Sequence, residues 1–156
     1  MENYSFQEVN DTFLKETISR EILEALPEWF GLTESREEYI EESKKLLFFA
    51  AYDKSEPIGF LSLKETGKET VELYVMGILK NYHRQGIGRK LFEYAKNKAI
   101  KEGYSFMQVK TVKMGIYKEY DATNNFYLSL GFKEFEVFRT LWDEWNPCQI
   151  YVMALR

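Results

Sequence analysis

The chain has 156 residues, 45% of them hydrophobic, a size that suits one ordinary domain with a sizeable core. Its 21 basic and 25 acidic residues leave a net charge of −4, which argues against a nucleic-acid partner that would require a broad basic face. One cysteine, Cys148, and one histidine, His83, exclude an intrachain disulfide and a cysteine-rich zinc site, and no metal is expected.

The start, Met1-Glu2-Asn3-Tyr4-Ser5-Phe6, lacks the basic-then-apolar pattern of a secretory leader, and no apolar run approaches ~18–20 residues. A cytoplasmic protein without a membrane partner is expected. From Asp11 to Phe30, Phe13, Leu14, Ile18, Ile22, Leu23, Ala25 and Leu26 recur at helical spacing until Pro27 ends the pattern. Ser35-Arg36-Glu37-Glu38 then has the serine-to-glutamate spacing of a capping box and predicts a second helix to about Lys45.

Leu46 to Tyr52 is apolar and aromatic, Asp53 to Pro57 reads as a turn, and Ile58 to Lys64 alternates, which predicts an antiparallel pair of strands. A third strand, Val71 to Leu79, follows the turn Glu65-Thr66-Gly67-Lys68. Gln85 to Glu102 places Ile87, Leu91, Tyr94, Ala95 and Ala99 on one helical face, and Gly103 stops it. Downstream come a strand near Ser105 to Val112, a short helix near Ala122 to Leu130, and strands near Phe132 to Arg139 and Gln149 to Leu155. This order of elements gives an α/β (or α+β) class with a mixed sheet, and there is no internal repeat or low-complexity stretch.

Between the third strand and its helix lies His83-Arg84-Gln85-Gly86-Ile87-Gly88-Arg89. Two glycines one residue apart allow close backbone approach, and the first turn of a helix presents N–H groups that suit a phosphate. Neither common nucleotide signature fits. Leu91 stands where the dinucleotide fingerprint requires a third glycine, and Gly88-Arg89-Lys90 replaces the Gly-Lys-Ser/Thr of a Walker loop. A glycine-rich turn without a ligand remains the alternative.

The strand, Lys80-Asn81-Tyr82, the loop, and Ile87 to Ala99 together resemble motif A of the GCN5-related N-acetyltransferase (GNAT) superfamily. Family members carry a Gln/Arg-x-x-Gly-x-Gly/Ala loop that holds the coenzyme A pyrophosphate, and Gly86 and Gly88 fill its two small-residue positions. His83 departs from the pattern, since it offers one hydrogen bond and no guanidinium or amide fork. Thr123 to Phe132 is similar to the family's motif B, ending Phe126-Tyr127-x-x-x-Gly131-Phe132. Tyr120 stands where members often carry an asparagine, and Asn124, one turn before Tyr127, is its substitute.

The resemblance implies one N-acetyltransferase domain over 1–156, with motif A about 71–100 and motif B about 105–132. Its fold would be a central, twisted, mostly antiparallel sheet of about seven strands flanked by about four helices. Acetyl-CoA is the implied co-substrate, held by His83, Arg84, Gln85, Gly86, Ile87, Gly88, Arg89, Asn124 and Tyr127. Main-chain N–H groups at Met76, Gly77 and Ile78 would polarise the thioester carbonyl.

Attack of an amine on a thioester must expel a thiolate, and the Tyr127 phenol can protonate it. Alternatively Tyr127 is a core aromatic beside Phe126. An alkylamine of pKa ~10.4 arrives protonated and must first lose a proton. Glu72, where some family members place a catalytic glutamate, is the candidate base, and a solvated strand-end residue is the other reading. Cys148 as an acetyl carrier lacks any neighbouring activating motif.

Two aromatic-acidic clusters, Pro27-Glu28-Trp29-Phe30-Gly31 and Leu141-Trp142-Asp143-Glu144-Trp145-Asn146-Pro147, fall in regions that flank the acceptor site in this superfamily. Rings and carboxylates suit a small cationic amine: an amino acid, polyamine, aminosugar or peptide amine. The same tryptophans equally suit core packing or a subunit contact, and the expected assembly is a monomer or a homodimer. The alternative to an enzyme is a non-catalytic acyl-CoA sensor or an interaction domain.

Overall fold

A computed structural model describes residues 4–156; Met1, Glu2 and Asn3, part of the segment read as leaderless, lie outside the described residues. The elements are β1 (Tyr4–Glu8), α1 (Thr12–Glu24), α2 (Pro27–Phe30), α3 (Thr33–Ser43), β2 (Leu47–Asp53), β3 (Glu56–Gly67), β4 (Thr70–Ile78), a 3-10 turn (Lys80–Tyr82), α4 (Ile87–Lys101), β5 (Phe106–Val112), α5 (Lys118–Leu130), β6 (Lys133–Asp143) and β7 (Asn146–Ala154). Seven strands hydrogen-bond in the order β1-β2-β3-β4-β5-β7-β6, mostly antiparallel, with β4 and β5 parallel. The fold is α/β, as expected, with five α-helices among the described residues where about four were expected.

The chain forms two compact units whose boundary falls inside β4. The first comprises residues through Lys64 together with Tyr74–Ala99. Its α1 starts where the Asp11 carboxylate accepts a hydrogen bond from Leu14 N–H at 2.8 Å, the expected behaviour of an N-cap aspartate. The apolar stripe of α1 then buries Ile18, Ile22 and Leu23 completely against the stacked rings of Phe48 and Phe60, whose centroids are 5.1 Å apart. Lys15 sits at the margin of that core and donates from Nζ to the Leu46 carbonyl at 2.8 Å, so its stem is buried while its charge is solvated by backbone.

Three local expectations are corrected here. Strand β1 was not foreseen: Tyr-Ser-Phe-Gln-Glu is short and half polar, and its stability comes from antiparallel pairing with β2, a non-local contact. The capping box at Ser35 is absent, because the helical ladder of α3 already begins with Arg36 N–H donating to Leu32 O at 2.9 Å. Ser35 therefore lies inside the first turn. On α4, Tyr94 is exposed and Phe92 is buried beside Ile87, Leu91, Ala95 and Ala99.

The second unit comprises Glu65–Leu73 and Ile100–Arg156. Here Val71 to Leu73 pair in parallel with Met107 to Val109, and β5 pairs antiparallel with β7, which pairs with β6. Helix α5 ends at Gly131, whose φ of 106° permits its N–H and that of Phe132 to return to the Leu128 and Tyr127 carbonyls. The β6–β7 hairpin is its most exposed part, with Trp145 72% and Trp142 43% accessible.

Candidate active site

In the first unit, β4 runs into the 3-10 turn, a four-residue loop, and α4. Arg84 and Gly86 both take left-handed φ values, 62° and 79°, which swing the chain around Gln85 and into the helix. A Cβ placed on Gly86 would meet nothing within 4 Å, so the loop opens onto free space at its tightest bend. The helical ladder starts with Lys90 N–H donating to Gly86 O at 3.1 Å, and the main-chain N–H groups of Ile87 and Gly88 precede it. Exposed Arg84, Arg89 and Lys90 surround this end of the helix.

The loop is braced from both sides. Gln85 accepts from the Tyr4 hydroxyl at 2.6 Å through Oε1 and donates from Nε2 to Asn81 O at 3.2 Å. Tyr82 donates to Asp53 at 2.7 Å, and the carboxylate beside its hydroxyl raises the phenol pKa. The Gln85 side chain is thereby occupied within the fold, and Ile87 is buried as the first apolar residue of α4. Outward the loop presents the open backbone at Gly86 together with the exposed Arg84 side chain.

His83 is turned back toward the strand. Its Nε2 lies 2.6 Å from the carbonyl oxygen of Ile78, and since a carbonyl only accepts, Nε2 carries the proton. Its ring meets Trp29 of α2 edge-on at 6.0 Å. At the end of β4, Met76 and Ile78 are half-buried and Gly77 is buried beneath α1. A Cβ on Gly77 would sit 2.9 Å from Ile22 Cγ2 and 3.0 Å from Leu26 Cδ1, so only glycine allows α1 to pass that close.

Helix α2 carries the first aromatic-acidic cluster. Glu28 is ion-paired with Lys80, whose hydrogen bond holds the Glu28 carboxyl below its ordinary pKa. Phe30 meets Tyr39 edge-on at 5.8 Å, Tyr39 meets Tyr74 of β4 at 5.3 Å, and the Lys64 ammonium stands 5.1 Å from the Tyr74 ring centroid. These rings form a half-buried wall against the core of the first unit. Tyr39 was not singled out from the sequence, and its helical spacing from Phe30 carries no signal across the α2–α3 turn.

In the second unit, Glu72 is 7% exposed and its Oε1 lies 3.3 Å from Lys110 Nζ, so it is a buried, ion-paired carboxylate rather than a solvated strand end. Lys110 was missed, because only the parallel register that places Glu72 opposite Gln108 brings β5 alongside. Cys148 is fully buried, and desolvation pushes its thiol up to about 11 against a weaker pull from Lys110. That thiol is not an activated nucleophile.

Tyr127 is buried among Phe126, Phe132 and Tyr151, with ring centroids 5.8, 5.9 and 6.4 Å away. Asn124 is fully buried, donating from Nδ2 to Val112 O at 2.9 Å and Tyr120 O at 2.6 Å, and accepting from the Tyr151 hydroxyl at 2.5 Å. With both N–H donors committed inside the fold, Asn124 ties α5 to β5 and β7. Trp142 lies on the hairpin of this unit, whereas Glu28, Trp29 and Phe30 lie in the other.

The first unit thus carries a braced strand–turn–helix loop with left-handed backbone at Arg84 and Gly86, and the α/β sheet includes a parallel β4–β5 pair. Residues 44–134, more than half of the chain, match the acetyltransferase (GNAT) domain family, and the chain belongs to that family. Among solved structures, a GNAT-family protein from Desulfovibrio desulfuricans is 16% identical with a TM-score of 0.84, covering 99% of this chain and 100% of the other. An aminoglycoside 6'-acetyltransferase type Ii is 22% identical with a TM-score of 0.78, covering 97% of each chain. An aminoglycoside 6'-N-acetyltransferase solved with coenzyme A is 19% identical with a TM-score of 0.74, covering 99% of this chain and 97% of the other. Compared with curated proteins, the chain matches none. No helix among the described residues is long and apolar enough to cross a membrane, and none of their His, Cys, Asp and Glu side chains cluster in a way that could hold a metal.

Proposed function

We propose that the protein is an acetyl-CoA-dependent N-acetyltransferase that moves an acetyl group directly to a primary amine of a small cationic molecule or peptide. The observation that carries this reading is the open bend at Gly86. Its left-handed φ, the free space where a Cβ would stand, and the helix start beyond it fit a pyrophosphate held by main-chain N–H groups. Arg84, Arg89 and Lys90 add positive charge there.

The coenzyme supplies an acetyl group on a thioester; the remaining chemistry falls to the chain. The amine nitrogen bonds to the acetyl carbon, the carbon–sulfur bond breaks, and the amine loses a proton while the sulfur gains one. Glu72 is the proposed proton acceptor, directly or through water, with Lys110 holding its carboxylate in place. Tyr127 is the proposed donor to the departing thiolate. Main-chain N–H groups at Met76 to Ile78 are the proposed partners of the carbonyl oxygen.

The ring wall of Trp29, Phe30, Tyr39 and Tyr74 supports a cationic acceptor, since one of its faces already takes the Lys64 ammonium. Glu28 is engaged by Lys80, so the rings rather than that carboxylate carry the attraction. Saturating acetyl-CoA should raise Tm, and Gly86→Glu should abolish the rise, because it puts bulk and negative charge where phosphates belong. A panel of primary amines, peptide N-termini and lysines included, should then show one class that releases thiol from acetyl-CoA. Absence of a Tm rise in the wild type overturns the reading, and wild-type turnover by Tyr127→Phe overturns the acid assignment.

A further inference from the structure

Two independent contacts join α2 to the segment that leads into the loop. Glu28 on α2 pairs with Lys80, the first residue of the 3-10 turn. Trp29, the next residue, meets the ring of His83, which immediately follows that turn. His83 in turn grips the Ile78 carbonyl at 2.6 Å, the last residue of β4. One imidazole therefore touches the strand end through its Nε2–H and the helix through its ring, at the point where the Gly86 loop begins.

A four-residue helix has little stability of its own. Among the described contacts of α2 are the turn at Lys80–His83, the Tyr39 ring against Phe30, the Leu26 carbonyl that accepts from the Trp29 and Phe30 N–H groups, and the Arg36 guanidinium that donates to the Phe30 carbonyl at 3.2 Å. Anything that fixes the loop at 83–86 thus also fixes one side of α2, and anything that loosens α2 loosens the loop. Coupling of this kind is reciprocal: a ligand on one side and a side chain on the other change each other's free energy equally.

We propose that His83 is a positioning residue, a clasp through which coenzyme binding at the Gly86 loop steadies α2 and its ring wall for the acceptor. It acts through the Ile78 carbonyl and the Trp29 indole and is not a base. The histidine that departs from the family's loop pattern is, on this account, the residue that joins the two halves of the task within the first unit. This inference rests on the coenzyme reading above.

The test is a double-mutant cycle read by calorimetric titration of acetyl-CoA. His83→Ala and Trp29→Ala should each weaken binding by roughly fivefold, the low end of ordinary couplings. The double variant should be no weaker than either single, rather than roughly 25-fold weaker as independent sites would be. Trp29→Phe, which keeps a ring against His83, should stay within about twofold of wild type. Hydrogen exchange of the full-length wild type should slow in α2 when acetyl-CoA is added, a readout that needs no variant to fold.

An unchanged affinity in Trp29→Ala, a multiplicative double variant, or α2 exchange indifferent to acetyl-CoA each overturns the clasp while leaving the coenzyme reading intact. Failure of the wild type to bind acetyl-CoA overturns both.

Discussion

Strand β4 does two different jobs along its nine residues, and the contrast shows how little of a residue's role is local. Its first half, Thr70 to Leu73, belongs to the second unit and carries a buried charge, Glu72, that is tolerable because Lys110 meets it. Its second half, Tyr74 to Ile78, belongs to the first unit and carries a buried absence, the missing side chain of Gly77 beneath α1. One half is constrained by electrostatics and the other by volume. Substitutions should therefore fail for different reasons in the two halves.

The largest effect should come from removing the cation beside the buried carboxylate. Lys110→Met leaves Glu72 buried without its ammonium and should cost about 3 kcal/mol in urea unfolding, at the lower end of what breaking a buried pair costs. A loss below about 1 kcal/mol would show that Glu72 finds water or another donor. Glu72→Gln should cost less, about 1 kcal/mol, because the Lys110 side chain left behind is 30% exposed and water can solvate it. Equal costs for the two would erase the asymmetry.

Next is volume. Gly77→Val forces branched bulk against Ile22 and Leu26 and should lower stability by about 2 kcal/mol, with a matching fall in Tm. If Gly77→Val melts like wild type, α1 is free to lift from the strand and the contrast between the halves is weaker than drawn. Gly86→Val, where no neighbour is met but φ is positive, should show backbone strain without a packing clash, about 1 kcal/mol.

The smallest effect concerns Cys148, beside the charged half. Its thiol ordinarily titrates at 9.0 and burial raises it to about 11, so the protonated thiol is favoured by folding. The sign follows: this contribution is fully present below pH about 9 and is lost as pH rises through about 11. At pH 8 the native protein should be silent to a thiol-alkylating reagent and react once unfolded; rapid native labelling would contradict the burial.

Periodicity placed α1, β2, β3, β4, α4, β5, α5 and β7 within a few residues, because each buries one face and its sequence says so. It missed β1, whose five residues look like nothing until β2 pairs with them, and it put a cap at Ser35 where the chain had already turned helical at Thr33. At the site, the same division holds. Gly86 and the helix start after it were legible because left-handed backbone and a helix N-terminus are written in residue type. The bonds of Asn124 were not legible, because nothing in its neighbours announces that Tyr151, Val112 and Tyr120 will take up its amide.

The amino-acid sequence by itself determined the family, the alternation of strands and helices, and the glycine-bearing strand-to-helix loop, since these depend on local conformation and spacing. Only the tertiary structure decided that Glu72 is paired, that Gly77 is a clearance for α1, and that His83 faces Ile78 and Trp29. Those facts depend on strand register and on which helix passes overhead. Such contacts join residues far apart in the chain, and the free energy that fixes them belongs to the packed whole.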